Sequence, residues 1–286
     1  MAWGHVSRAL RDGLLGVERA MLSDRLGPVD ELLERGFVAD DVSKYCPRCG
    51  RSVGPGEFAD GACSACRNRR LPWGGFVRLG QYDETLREAV HEFKFNRWHA
   101  VGEHLGRALG AAVAERLVAV ASDANELPQA VLSRSVVTPV PMSFWRKAGR
   151  GIDHATCLAS AVSAGAGLPM RRLLARRHRP AQTGLSASAR RRNLRGSMLT
   201  TADPAAVAGA RVVVLVDDVM TTGATLEEAC RALGAWWKRP RESELPEPAI
   251  LVACLAVSEA GRSKGARAAL PIVEAVGSGV VPVQKK

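Results

Sequence analysis

Aromatic residues are scarce in this chain: phenylalanine, tryptophan and tyrosine together make up 5% of its 286 residues. That scarcity disfavours a surface that grips nucleic acid by stacking successive bases on aromatic rings. No apolar run is long enough to span a bilayer, so membrane insertion is not expected. The opening Met1-Ala2-Trp3-Gly4-His5 has no basic stretch leading into an apolar one, so no secretory leader is expected and the expected location is the cytoplasm. Acids are nearly missing from one long segment. Between Arg134 and Arg195 a single acid, Asp153, faces 13 lysines and arginines, a local excess of 12 in a chain whose net charge is +11. A field so concentrated suits an anion, either a polyphosphate or a nucleic acid, against the plainer alternative of a solvated arginine-rich face.

The chain has seven cysteines. Cys157, Cys230 and Cys254 stand singly in apolar surroundings and read as inert buried thiols. The other four form two C-x-x-C pairs, Cys46-Pro47-Arg48-Cys49 and Cys63-Ser64-Ala65-Cys66, with 13 residues between them. Each pair makes a tight knuckle, and four thiolates complete a tetrahedral Zn²⁺ site. Such a site is closed, so its metal is structural. A redox C-x-x-C is the rival reading, but it needs one pair and not two. An arginine fringe (Arg48, Arg51, Arg67, Arg69, Arg70) surrounds the pairs and reads equally well as a nucleic-acid contact or as plain basic surface.

Around this module the periodicities divide the chain. Residues 1–45 show apolar spacing of helical type (Val6, Leu10, Leu14, Val17), interrupted at Gly27-Pro28. Residues 83–121 read as helical with a break near Asn96, with Asp83 as N-cap, and 121–128 as a polar linker. Strands are expected at 76–82, 136–140, 173–174, 211–216 and 249–257, and further helices at 154–166 and 225–237. Strands alternating with helices imply a parallel sheet flanked by helices.

The strongest signal is the stretch 212–225. Five apolar residues, Val212 to Val216, form a buried strand; Asp217 and Asp218 follow, then Val219, Met220, and the turn Thr221-Thr222-Gly223-Ala224-Thr225 opening a helix. Ligands bind at the carboxyl ends of the strands in open α/β sheets. Free amides at a helix start suit a phosphate, Gly223 lets the backbone approach it, and the threonines add hydroxyl donors. Two adjacent carboxylates repel unless they meet hydroxyls or a divalent cation. A ribose diol with Mg²⁺ satisfies both.

This arrangement resembles the 5-phosphoribosyl 1-pyrophosphate (PRPP) signature of type I phosphoribosyltransferases. The resemblance implies that Asp217 and Asp218 hold the ribose hydroxyls, directly or through Mg²⁺, and that the loop from Val219 to Thr225 wraps the 5′-phosphate. Where relatives acting on 6-oxopurines carry a basic aspartate, this chain has Thr221. The basic loop after Pro139-Val140-Pro141 resembles the pyrophosphate loop, with Arg146, Lys147 and Arg150 as its candidate cations. The stretch 176–196 resembles the hood loop that closes over substrate.

Taken in order, the cysteine module, Tyr82 and Lys94, the Pro-Val-Pro block, Gln182-Thr183-Gly184-Leu185-Ser186 and the 217–225 loop resemble the ComF family, over about residues 46–257. Asp153-His154 stands where the family has Asn-Gln, with His154 read as capping the following helix. The resemblance implies an α/β type I phosphoribosyltransferase fold with hood (76–286) and a Cys₄ zinc-ribbon-like module (46–75); the helical arm (1–45), read from its periodicity, is longer than the family's. It implies a pentosyl transferase binding PRPP with Mg²⁺ and linked to DNA uptake in competent bacteria. The alternative is a non-catalytic nucleotide-sensing accessory protein whose partner is single-stranded DNA or a competence helicase. The acceptor and the oligomeric state are not legible.

Overall fold

The computed structural model describes residues 39–59, 61–95, 99–142, 153–177, 194–201, 207, 209–237 and 248–259. Of the helical arm expected over 1–45, residues 1–38 lie outside them and residues 39–45 are turn and bridge, not helix; most of both basic loops also lie outside.

Four parallel strands form the central sheet. They are β3 (Gly75–Gln81), β4 (Ser135–Pro139), β7 (Val212–Met220) and β8 (Ala249–Val257), in the spatial order β3-β8-β7-β4. The helices are α1 (Glu84–Phe95), α2 (His99–Asp123), α3 (Pro128–Ser133), α4 (His154–Ala166) and α5 (Ala224–Trp237). Two short antiparallel pairs complete the described elements: β1 (Phe58–Ala59) with β2 (Ala62–Cys63), and β5 (Leu174–Arg176) with β6 (Met198–Thr200). The parallel sheet between helical layers is the expected fold class, and the cysteine module sits against the β3 edge.

Alternate residues of a strand point to opposite faces. Val212, Val214 and Val216 therefore join Val77, Leu251 and Ala253 in a core covered by α1, α2 and α4. Val213 and Leu215 join Phe76, Val252 and Cys254 in a second core covered by α5 and the β5–β6 pair. Both faces being dry, the central strands are continuous apolar runs.

On α2, Val101, Leu105, Leu109, Val113 and Leu117 repeat every four residues and are all buried. The opposing α4 approaches closely because the contact is built from small residues. A Cβ on Gly106 would collide with Ala161, one on Gly110 with the Val162 carbonyl, and one on Gly165 with the Arg107 backbone. Gly167 ends α4 in the left-handed region at φ 66°.

Several boundaries differ from the sequence reading. β7 does not stop at Val216. Its ladder with β8 continues through Asp217↔Cys254 to Met220↔Val257, so both acids lie on the strand and not beyond it. Backbone pairing outlasts burial here, and a reading by hydrophobicity stops where burial stops. The linker expected at 121–128 is shorter, since α2 runs to Asp123 and α3 starts at Pro128, a proline suited to a first helical turn. His154 does not cap α4. The cap is Asp153, whose carboxylate accepts from the Thr156 N–H. His154 is buried, its ring edge-on to Phe93 at 5.2 Å between centroids. Asp83 does act as expected at the start of α1, accepting from the Leu86 N–H at 3.2 Å.

Candidate functional site

At the carboxyl edge of the sheet, β7 delivers Asp217 and Asp218, each partly exposed. The two carboxylates are held differently. Asp217 Oδ1 accepts from the Asp218 N–H at 2.9 Å. Asp218 Oδ1 accepts from the Val219 N–H at 2.6 Å, and its Oδ2 pairs with Lys94 Nζ at 2.9 Å. The phase of the strand explains the difference. Asp218 shares the parity of Val212, Val214 and Val216, whose face is covered by α1, and Lys94 stands in the last turn of that helix.

The chain then turns. Thr221 and Thr222 are exposed, Gly223 and Ala224 are buried, and Thr225 is half-buried. Gly223 has φ 78°, a conformation that costs a side-chain-bearing residue and not glycine. A Cβ there would also lie 3.7 Å from the Trp73 ring. Thr222 Oγ1 accepts from the Ala224 N–H at 3.4 Å at the entry to α5. The first amides of α5 and its positive end therefore face the same opening as the threonine hydroxyls. The turn and the helix start thus lie beside the two carboxylates, an arrangement whose donors suit an anion.

The structure thus brings together Asp217, Asp218 and the loop from Val219 to Thr225. Arg146, Lys147 and Arg150 fall outside the described residues. Their loop nonetheless departs beside the acid pair, because Pro139 pairs with Val216 and the Val140 N–H donates to the Val216 carbonyl at 2.8 Å. Two participants carried no assigned role in the sequence reading. Trp73 backs the 221–225 turn at Gly223, and Lys94 contacts Asp218. The one signal for Lys94 in the sequence was its place in the ComF resemblance, which gave it no role.

The second site is the cysteine cluster. Cys46, Cys49, Cys63 and Cys66 are all buried, and their sulfurs lie within 4.8 Å of one another. Three of the six pairwise separations are 3.5 to 3.7 Å, close to the roughly 3.8 Å edge of a tetrahedron with Zn–S bonds of about 2.3 Å. Each knuckle is closed by backbone bonds, Gly50 N–H to the Cys46 carbonyl and Arg67 N–H to the Cys63 carbonyl. The hydrogen bond with Cys49 pulls the Cys46 thiol down to about 4, and the same bond together with burial pushes Cys49 up. Four such sulfurs cannot all ionise side by side without a cation among them, and the donor set is that of a structural Zn²⁺ site. Convergence of both pairs on one centre disfavours two separate redox pairs. Of the remaining thiols, burial pushes Cys230 up to about 12 and Cys254 well above its ordinary value, as inert core thiols should be. Cys157 is only half-buried.

The cysteine module is bound firmly to the sheet. Arg78 on β3 is 2% exposed, and its guanidinium donates to the Gly50 carbonyl at 2.9 Å, to Ser52 Oγ at 3.0 Å and to Asp40 Oδ2 at 2.8 Å, while lying over the Tyr45 ring. Trp73 Nε1 donates to the Arg48 carbonyl at 2.9 Å, and Arg69 reaches Glu227 on α5 at 3.2 Å. One tryptophan therefore touches both the cysteine knuckle and the 221–225 turn. Among the described residues, no helix is long and apolar enough to cross a membrane.

Parallel strands, helical layers on both faces and a four-cysteine module on one edge define an α/β fold with an appended Cys₄ module. No family model matches the chain. Competence protein F of Haemophilus influenzae is 31% identical over 191 residues, covering 66% of this chain and 78% of that protein. DNA utilization protein YhgH of Salmonella typhimurium and that of Escherichia coli K12 are each 30% identical over 190 residues, covering 66% of this chain and 77% of theirs. The chain belongs to the ComF family. A solved structure described as the allosteric regulatory enzyme of purine biosynthesis matches 58% of this chain and 30% of its own, at 15% identity and a TM-score of 0.30. So low a superposition adds nothing to the fold described above.

Proposed function

We propose that this chain is a phosphoribosyltransferase that binds PRPP at the junction of β7 and α5 and transfers its phosphoribosyl group to an acceptor. The observation that carries the reading is the meeting of Asp217 and Asp218 with the 221–225 turn and the start of α5, at the carboxyl edge of a parallel sheet. In this reading the two carboxylates accept hydrogen bonds from the ribose 2′- and 3′-hydroxyls. Thr221, Thr222, Gly223, Ala224 and Thr225 cradle the 5′-phosphate, with Val219 and Met220 as the strand end that sets the turn. Arg146, Lys147 and Arg150 take the pyrophosphate. The bond from C1 to the pyrophosphate oxygen breaks and its electron pair leaves with pyrophosphate. The cationic sugar then accepts a lone pair from the acceptor, which releases its proton. Fixed donors on the leaving side and fixed acceptors on the sugar side stabilise that separation of charge. Mg²⁺ enters with PRPP as the counterion of its pyrophosphate.

The names of the relatives place them in competence and DNA utilization, and we carry that setting over as a cytoplasmic role in handling incoming DNA. We propose three parts for the chain: an arm (1–45), the Cys₄ module (46–75) and the transferase domain (76–286). A second reading, an accessory protein that engages single-stranded DNA or a competence helicase, is favoured by the exposed Arg51, Arg67, Arg69 and Arg70 on the module.

Calorimetry with PRPP tests the first reading. Binding is expected for the native chain and a loss of tenfold or more in the double variant Asp217→Asn, Asp218→Asn. Unchanged affinity in that variant removes the acid pair from the site. Pyrophosphate release from PRPP across a panel of nucleobases and amines then identifies the acceptor. The second reading is tested by fluorescence anisotropy with single-stranded DNA over a salt series. It expects a log–log slope of about −0.7 per neutralised phosphate, with affinity unaffected by PRPP.

A further inference from the structure

We propose that Lys94 is a built-in cation for the acid pair, a positioning residue that lets the pair hold a sugar diol without a divalent metal on Asp218. The inference rests on the PRPP reading of the site and deepens it. Asp218 is already coordinated on both oxygens, by the Val219 N–H at 2.6 Å and by Lys94 Nζ at 2.9 Å. The pair is neither superficial nor sealed, since the two side chains are 18% and 23% exposed.

Mg²⁺ asks for a near-octahedral shell at about 2.0–2.1 Å, and beside this carboxylate it would meet the repulsion of the Lys94 ammonium. Binding one at Asp218 means expelling Lys94 from the only described carboxylate that it pairs with, or setting a dication against it. In this arrangement Asp218 does not fit a metal ligand. A hydroxyl makes no such demand. Each carboxylate oxygen has two acceptor directions, so an O–H donor can join Asp218 while Lys94 stays in place.

Lys94 also offsets the repulsion between Asp217 and Asp218, which are adjacent in the chain and both needed as acceptors. A bland alternative is that Lys94 only completes the last turn of α1, where a cation meets the negative helix end. The two differ in what happens to sugar binding when a metal is supplied.

Ribose 5-phosphate is the discriminating probe, because it keeps the diol and the 5′-phosphate and lacks the pyrophosphate that brings Mg²⁺ with it. Its affinity is measured by calorimetry in EDTA and in saturating MgCl₂, for the native chain, Lys94→Met and Lys94→Arg. Equal melting midpoints serve as the folding control. The native chain is expected to bind equally, within about twofold, in both buffers. Lys94→Met should lose about tenfold in EDTA and regain most of it in MgCl₂, where a metal takes the vacated place beside Asp218. Lys94→Arg should stay within about threefold of native throughout.

Native binding of ribose 5-phosphate that requires MgCl₂ overturns the inference. So does a Lys94→Met variant that binds normally in EDTA, or one that loses equally in both buffers, as a merely structural lysine would. In each of these cases PRPP binding itself survives. Failure of every variant to bind either ribose 5-phosphate or PRPP overturns the reading of the site, and this inference with it.

Discussion

The cysteine cluster and the acid pair solve the same problem, like charges crowded together, in opposite ways. The four sulfurs are buried, face one another, and leave no open coordination position once a tetrahedral metal is bound. The two carboxylates are half open, and their charge is offset by Lys94 from α1 and by amides of the strand itself. A site closed on itself supplies folding energy. A site held from one side keeps acceptor capacity for a ligand. The first is built as a fastener and, in the proposed function, the second as a receptor; Trp73 reaches the Arg48 carbonyl of the one and lies beside Gly223 in the turn that follows the other.

Removing the fastener should produce the largest effect. Elemental analysis of protein purified without chelator should find one zinc per chain. Model peptides draw roughly 10–16 kcal/mol of apparent folding energy from such a metal, so Cys63→Ser should unfold the module and open residues 46–75 to limited proteolysis. From sequence alone the sheet domain is expected to survive this change intact. The structure sharpens that expectation, because Arg78 would remain in the sheet with its guanidinium acceptors gone. The melting midpoint of the whole chain should therefore fall too, by roughly 10 °C or more, taking about 2–4 °C per kcal/mol for a domain of this size.

A smaller loss is expected for Arg78→Met, which cuts the tie and keeps the metal. Breaking a buried charge pair costs about 3–5 kcal/mol, and the 20% exposure of Asp40 places this one at the lower end, near 3 kcal/mol. Zinc content should be unchanged, and chemical denaturation reads the difference. Arg69→Ala should have the least effect. Its partner Glu227 is a third exposed and Arg69 itself nearly half, so the pair contributes about 0–1 kcal/mol. A loss of 2 kcal/mol or more at Arg69 would break the comparison, by showing that the module is held through the α5 side as well. The receptor should behave in the reverse sense: the Asp217→Asn, Asp218→Asn variant should melt within a few degrees of native and lose PRPP affinity.

What the sequence made legible follows range. The two C-x-x-C pairs act through local spacing, and their convergence on one centre was expected. The β7 strand and its threonine turn are likewise local, and the acids, Gly223 and the start of α5 fall together as read. Contacts that depend on the phase of the sheet were not legible. Lys94 and Asp218 are far apart in the chain, and their meeting requires knowing which face of β7 carries the even residues. Arg78 carries no reading from sequence, because nothing in Gly75-Phe76-Val77-Arg78-Leu79 announces that the neighbouring module supplies its acceptors. His154 was mistaken for a cap because a neighbouring residue with a shorter, better-placed carboxylate, Asp153, does that work.

The placement of the cysteine module has a further consequence, for solubility. β3 is the outermost strand of the sheet, and an outer strand offers unpaired amides and carbonyls to any passing chain. Here that edge is occupied: the Phe76 N–H donates to the Pro47 carbonyl, and the Asp40 N–H donates to the Leu79 carbonyl. The metal knuckle thus stands where another molecule's strand would otherwise add. Loss of zinc would uncover the backbone edge of β3 and the ring of Phe76 that packs on Gly50, and the first visible sign of chelation should be self-association, seen as light scattering, ahead of any change in helix content.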